Sequence, residues 1–167
     1  VKFKQNISNI TIQIANSEYN YDLSLEGEHN IMNSLASIGV AFALDVDLSK
    51  FIPEMDKLKA ENKKGVRYQI PWKGSFFELI DDTTNGTYPG MYAMLNTLAN
   101  QQIKKGSRRV AVLGSANASL GTLMPEAMKT LANDSVKFGI DKFFTIGEEA
   151  YVFNLNYPIK KNFIINF

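Results

Sequence analysis

Between Ile10 and Leu25 the apolar residues fall on alternate positions, first Ile10, Ile12 and Ile14, then Tyr19, Tyr21, Leu23 and Leu25, with Asn16-Ser17-Glu18 between the two runs. Two period-two runs around a polar break predict a β-hairpin. After Gly27 the spacing lengthens to Ile31, Leu35, Ile38 and Phe42, with many small residues between them. That pattern predicts a helix from His29 or Asn30 to near Leu44, packed on more than one side. Asp47 or Ser49 then offers an N-cap for a second helix, one face of which is marked by Leu48, Phe51, Ile52, Met55 and Leu58. Pro53 falls early enough in it to be absorbed or to shift its start.

The stretch Lys57 to Lys64 is polar, charged and without apolar period, which predicts a connection between two compact units. Beyond it, Arg67 to Trp72 and Phe76 to Ile80 flank Lys73-Gly74, a hairpin signal. Asp81-Asp82 follows and leads into a loop rich in Thr, Asn and Gly. Pro89 opens a helix carrying Met91, Leu95 and Leu98. Val110 to Gly114 reads as a buried strand, residues 123–138 as a helix, and Lys142 to Ile146 as a strand. Strand, helix and strand at these lengths form a βαβ unit, so the second half is expected to be an open, largely parallel α/β sheet. Asn162 to Phe167 reads as a further, edge strand.

Length and composition narrow the function classes. At 167 residues the chain is near the single-domain size of about 150 residues, too short for a large self-contained enzyme. Lys plus Arg number 18 against 17 Asp plus Glu, a net charge of +1, which gives no field favouring nucleic acid or anionic membrane. Cysteine is absent, removing disulfides, thiolate metal sites and cysteine nucleophiles together. His29 is the single histidine and cannot build a multi-histidine zinc site. No run approaches the roughly 20 apolar residues of a membrane span, and no signal peptide is visible. The expected compartment is the cytoplasm, and the Asn-x-Ser/Thr matches read as chance in an Asn-rich chain. Opening on Val1 rather than Met, the chain is expected to be an excised piece.

Generic nucleotide loops are excluded next. Gly114-Ser115-Ala116-Asn117-Ala118-Ser119-Leu120-Gly121 has the wrong glycine spacing for a dinucleotide fingerprint and lacks the Lys-Ser/Thr of a Walker loop. The informative set is distributed instead: Gly27-Glu28-His29-Asn30-Ile31-Met32-Asn33-Ser34-Leu35-Ala36, then Lys64-Gly65-Val66-Arg67, then Asp81-Asp82-Thr83-Thr84-Asn85-Gly86. An amide at Asn30 offers a donor and an acceptor side by side, the pairing an adenine edge requires, or it caps the helix backbone. Arg67 lies fifteen positions before Asp82. A guanidinium can bridge phosphate oxygens and a carboxylate can accept two ribose hydroxyls; the plainer alternative is a surface arginine and a turn aspartate. Asp81 and Asp82, adjacent on a strand, point to opposite faces, and neither is assigned to a metal.

In order and spacing these motifs resemble the Mur ligases of peptidoglycan synthesis. In that family the central domain ends in a G-x-H-N-x-x-N-A-L-A-A helix, and the C-terminal domain opens with an Arg and then an acidic loop. One branch reads D-D-S-Y-N-A-N-P-x-S-M where this chain has Asp81-Asp82-Thr83-Thr84-Asn85-Gly86-Thr87-Tyr88-Pro89-Gly90-Met91. The resemblance implies an α/β fold: residues 1–58 as the end of a central ATPase domain (a hairpin and two helices), 59–65 as linker, and 66–167 as a Rossmann-like C-terminal domain, incomplete at its C-terminus. It implies an ATP-dependent amide ligase that joins D-alanyl-D-alanine to a UDP-muramoyl tripeptide through an acyl phosphate. Asn30, Arg67 and Asp82 would contact the nucleotide, and no catalytic residue would lie within the chain. The phosphate loop, the Mg2+ ligands and the muropeptide-binding domain would precede Val1, so the chain alone is expected to be inactive.

The chain departs from the family where G-D-M-x-E-L-G and a later His are usual. Here the corresponding positions are Gly114-Ser115, Ser119-Leu120-Gly121 and Met128, and Thr84 replaces the Tyr of D-D-S-Y-N. These changes fall on amine-substrate handling more than on the nucleotide contacts, and Met128 with Leu131 reads as core. Other Mur or folylpolyglutamate-type ligases are the near alternatives. A non-catalytic α/β module that binds a nucleotide or a protein is the alternative from another class.

Overall fold

A computed structural model describes residues 7–61, 63–84, 86–115, 121, 123–157 and 163–165. The chain divides into two compact units, Val1–Asp81 and Asp82–Phe167.

In the first unit, β1 (Ser8–Ile14) and β2 (Ser17–Leu23) pair antiparallel, with Ile10 opposite Tyr21 and Ile12 opposite Tyr19. Alternation turns Tyr21 and Leu23 inward, against α1 (Glu28–Ala43). α1 buries Ser34, Ile38 and Ala41, and Tyr21 shares a hydrogen bond of 2.7 Å with Ser34, which satisfies both buried hydroxyls. The second predicted helix is split. Asp47 caps α2 (Leu48–Phe51) by accepting from the Ser49 amide at 3.1 Å, and the chain then tightens into a 3₁₀ segment, Ile52–Lys57. Pro53 supplies no N–H for a continuing α-helical ladder, so the element changes winding there. The core of this part is Tyr21, Leu23, Ile38, Ala41, Leu48, Ile52 and Met55.

The second hairpin joins β3 (Val66–Trp72) to β4 (Ser75–Asp81). Lys73 and Gly74 form its two-residue loop, both with positive φ (46° and 77°), as the twist of a tight hairpin requires. The hairpin groups with the first unit, and the division falls after Asp81. Among the described strands β3 and β4 pair only with each other, and an Arg67–Glu26 ion pair ties them to the residues preceding α1.

In the second unit, Thr87 caps α3 (Tyr88–Ala99) through a bond from the Gly90 amide at 3.2 Å, with Pro89 in the first turn. Strands β5 (Val110–Leu113), β6 (Lys142–Ile146) and β7 (Phe163–Ile165) form a parallel sheet in the order β5-β6-β7. The β5 to β6 crossover carries α4 (Met124–Ser135), extended by a 3₁₀ turn at Val136–Phe138 and closed by left-handed Gly139. The predicted βαβ unit and parallel sheet are therefore present. Sequence reading found no helix between β6 and β7, but α5 (Glu148–Asn156) occupies that crossover. Parallel neighbours cannot be joined by a tight turn, so a crossing element is required there. Asn162, Asn166 and Phe167 of the predicted last strand lie outside the described residues. The core of this unit combines Leu113, Met128, Leu131, Ile140, Phe143, Ala150, Phe153 and Tyr157.

Candidate functional site

The foot of α1 gathers two of the three expected nucleotide contacts. Gly27, at φ 98°, is the N-cap, a backbone geometry that non-glycine residues rarely adopt, and no side chain caps this helix. Asn30 therefore does not cap α1. Its Nδ2 instead donates to the main-chain oxygen of Glu26 at 2.8 Å, which fixes the plane of a half-buried amide. One N–H of an amide nitrogen is used in that bond, and the chemistry of the group leaves a second N–H and the Oδ1 acceptor.

Arg67, the second residue of β3, reaches the same Glu26. Nη2 donates to Glu26 Oε2 at 2.5 Å, with the two side chains only 14% and 15% exposed. Nη1 donates to Glu78 Oε2 at 3.2 Å, on a side chain 47% exposed. One residue thus holds both predicted groups, Asn30 through its carbonyl and Arg67 through its carboxylate. The charges of Arg67, Glu26 and Glu78 add to 1 − 2 = −1. Low exposure keeps the Arg67–Glu26 pair less screened than a surface ion pair.

Asp82 opens the second unit, half-buried and one residue past the end of β4; Asp81 closes β4 opposite Val66. The structure brings Asn30 and Arg67 together on Glu26, and it assigns Asp82 to the other unit. Asn85 lies outside the described residues, as does Ser119.

Of the positions that depart from the family pattern, Met128 is fully buried in the second core, where sequence reading put it. Ser115 is exposed just past β5, and Gly147, just past β6, comes so close to it that a Cβ on Gly147 would strike the Ser115 hydroxyl. The loops at the carboxyl ends of two neighbouring parallel strands therefore touch. Among the described residues no three His, Cys, Asp or Glu side chains are grouped as metal ligands would be. No described helix is long and apolar enough to cross a membrane.

Sequence reasoning missed Glu26 and Glu78. The register that opposes Arg67 to Ile80 places Glu78 diagonally across the hairpin on the same face, so the Lys73-Gly74 turn could have revealed it. Glu26 carries no local signal, since its role depends on a residue 41 positions away.

Comparison with known proteins bears on what this arrangement serves. No family model matches the chain. The UDP-N-acetylmuramoyl-tripeptide--D-alanyl-D-alanine ligase of Borreliella burgdorferi is 30% identical over 131 residues, 78% of this chain and 27% of that relative. A crystal structure of MurF from Acinetobacter baumannii superposes with a TM-score of 0.81 at 22% identity, covering 96% of this chain and 33% of that one. MurF ligase from Thermotoga maritima, solved in complex with ADP, superposes with a TM-score of 0.72 at 18% identity, covering 99% of this chain and 35% of that one. The chain thus spans about a quarter to a third of the length of the proteins it matches. With sequence likeness across most of its length and the fold of those structures, this chain is a MurF-like segment, similar to the Mur ligases over the stretch they share.

Proposed function

We propose that this chain forms part of an ATP-dependent amide ligase that adds D-alanyl-D-alanine to a UDP-muramoyl tripeptide. In this reading residues 1–58 end the ATPase domain, 59–65 are the linker, the 57–64 segment serves as the hinge, and residues 66–167 belong to the C-terminal domain. A carboxylate oxygen of the tripeptide attacks the γ-phosphorus of ATP and ADP leaves; the amine of the dipeptide then attacks the acyl carbon and phosphate leaves. Such a reaction needs two anions and an amine held in line while cations absorb developing phosphate charge. Arg67 supplies one such cation, the Asn30 amide reads adenine, and the Asp82 carboxylate accepts the ribose hydroxyls. ATP and UDP-linked precursors place the reaction in the cytoplasm. Mg2+ would be held by residues outside this chain, and the chain by itself is expected to be inactive and to bind ATP weakly, with half of the phosphate site missing.

The observation that carries this reading is the 30% identity with a ligase of that name over 131 residues. The joint attachment of Asn30 and Arg67 to Glu26 supports it. The test is phosphate release by a protein that contains this chain with the remaining ligase domains. Release should require both the UDP-muramoyl tripeptide and D-alanyl-D-alanine, and Arg67→Ala should lower kcat/KM for ATP at least about tenfold. Unaltered ATP kinetics in that variant would remove the role given to Arg67.

A second reading, a nucleotide- or protein-binding module without catalysis, draws on Met128. Its burial puts an apolar side chain in the core where the family pattern has an imidazole. Nucleotide binding without substrate-dependent phosphate release would favour that reading.

A further inference from the structure

We propose that Glu26 is an internal counter-ion that nucleotide phosphate has to displace from Arg67, so that this residue sets the affinity for the triphosphate. The inference rests on the reading of Arg67 as a phosphate contact and extends it to a residue that neither the family pattern nor the comparisons assign.

Three features point to it. The Glu26 carboxylate takes Nη2 of Arg67 at 2.5 Å and Glu78 takes Nη1 at 3.2 Å, so carboxylates hold both terminal nitrogens of the fork. Those are the donors a guanidinium uses for two-point recognition of phosphate. Glu26 and Glu78 set two carboxylates against the one guanidinium of Arg67, and both have to give way before a phosphate can take its terminal nitrogens. The two carboxylates also differ in accessibility: Glu78 is 47% exposed and can turn into water at little cost, whereas Glu26 is 15% exposed and holds Arg67 from the base of α1.

Displacement exchanges one charge-assisted bond for another, and the exchange is free to occur because the Glu26 main chain is not required to move. Its carbonyl keeps the Asn30 amide in place while the carboxylate turns away. Adenine recognition and phosphate recognition are thereby separable at one residue: the Glu26 backbone serves the first and its side chain opposes the second.

Glu26→Gln tests this directly. The amide keeps an acceptor for Arg67 and removes the negative charge. One unit charge about 6 Å from a phosphate in a half-solvated site is worth about tenfold in affinity. ATP and adenosine are titrated by calorimetry into a protein that contains this chain with the remaining ligase domains, as wild type, E26Q, R67A and the double variant, with circular dichroism confirming the fold of each. E26Q is expected to bind ATP about tenfold more tightly than wild type and adenosine equally well, and the gain should vanish when Arg67 is also replaced. ATP binding by E26Q that is equal to wild type, weaker or undetectable, with R67A weaker than wild type, would overturn the role of Glu26 and leave Arg67 as a phosphate contact. If R67A binds ATP as wild type does, the underlying reading of Arg67 fails as well. A gain for E26Q that persists in the double variant would show that the carboxylate acts through some other group, which also contradicts the proposal.

Discussion

Removing one oxygen atom from the second core should stabilise it. Tyr157 is 6% exposed, with its ring 4.6 Å from Phe143 and stacked 5.5 Å from Phe153 between centroids. Its hydroxyl is buried and has no hydrogen-bond partner among the described residues. A hydroxyl moved from water into such surroundings without a partner costs about 1–3 kcal/mol. Tyr157→Phe keeps the ring and its packing, so a gain of about 1–2 kcal/mol is expected, or roughly 4–8 °C in Tm per kcal/mol for a unit of this size.

The same burial raises the phenol's pKa above its ordinary 10.0. Above about pH 10 the unfolded chain releases a proton that the folded chain retains, so unfolding becomes easier as pH rises. This contribution is fully present below about pH 10 and is lost as pH climbs through the raised folded value. Tyr157→Phe should therefore flatten the alkaline limb of the stability profile, leaving the part due to Tyr88, which burial and Asp134 also raise. The lone tryptophan, Trp72, lies in the first unit, so fluorescence does not follow this core. Hydrogen exchange at the β6 and α5 amides does follow it. A variant less stable than wild type, or one with an unchanged alkaline limb, would show that the hydroxyl has a partner and refute the reasoning.

Core truncation at Met128→Ala should cost about 2–4 kcal/mol, because the side chain is fully enclosed, whereas Met128→Leu should cost less than about 1.5 kcal/mol in chemical denaturation; equal effects would place Met128 outside the packed core. Two glycines separate strain from collision: Gly74→Ala (φ 77°, open space) should cost about 1–2 kcal/mol, and Gly147→Ala (φ 97°, facing the Ser115 hydroxyl) should cost more. Adding Ser115→Ala should recover only the excess at Gly147, and no recovery in urea denaturation would mean that the two loops do not touch.

What the sequence concealed has physical causes that can be named. β6 was legible to the residue because Lys142 to Ile146 is short, apolar and bounded by turn residues. α5 was hidden because Tyr151, Phe153, Leu155 and Tyr157 alternate like a strand. In the folded chain Ala150, Phe153 and Tyr157 face the core at helical spacing, while Tyr151 and Leu155 stand 41% and 65% exposed on the other side. Apolar residues on both faces of a helix erase the period from which it would be read. At the candidate site, Asn30 and Arg67 could be named from motif order, but the carboxylate that joins them could not. A glutamate 41 positions from its arginine leaves no periodic trace, and only the folded hairpin brings the two within 2.5 Å.

The central claim is that the Asn30 amide, the Arg67 guanidinium and the Asp82 carboxylate serve one nucleotide. An experimental structure of a protein containing this chain, bound to a non-hydrolysable ATP analogue, tests it most directly. The account predicts Asn30 at the adenine edge, Arg67 on a phosphate oxygen with Glu26 released, and Asp82 on the ribose hydroxyls. A nucleotide seated with Arg67 still paired to Glu26, or with Asn30 and Asp82 both beyond hydrogen-bond reach of it, would contradict the account.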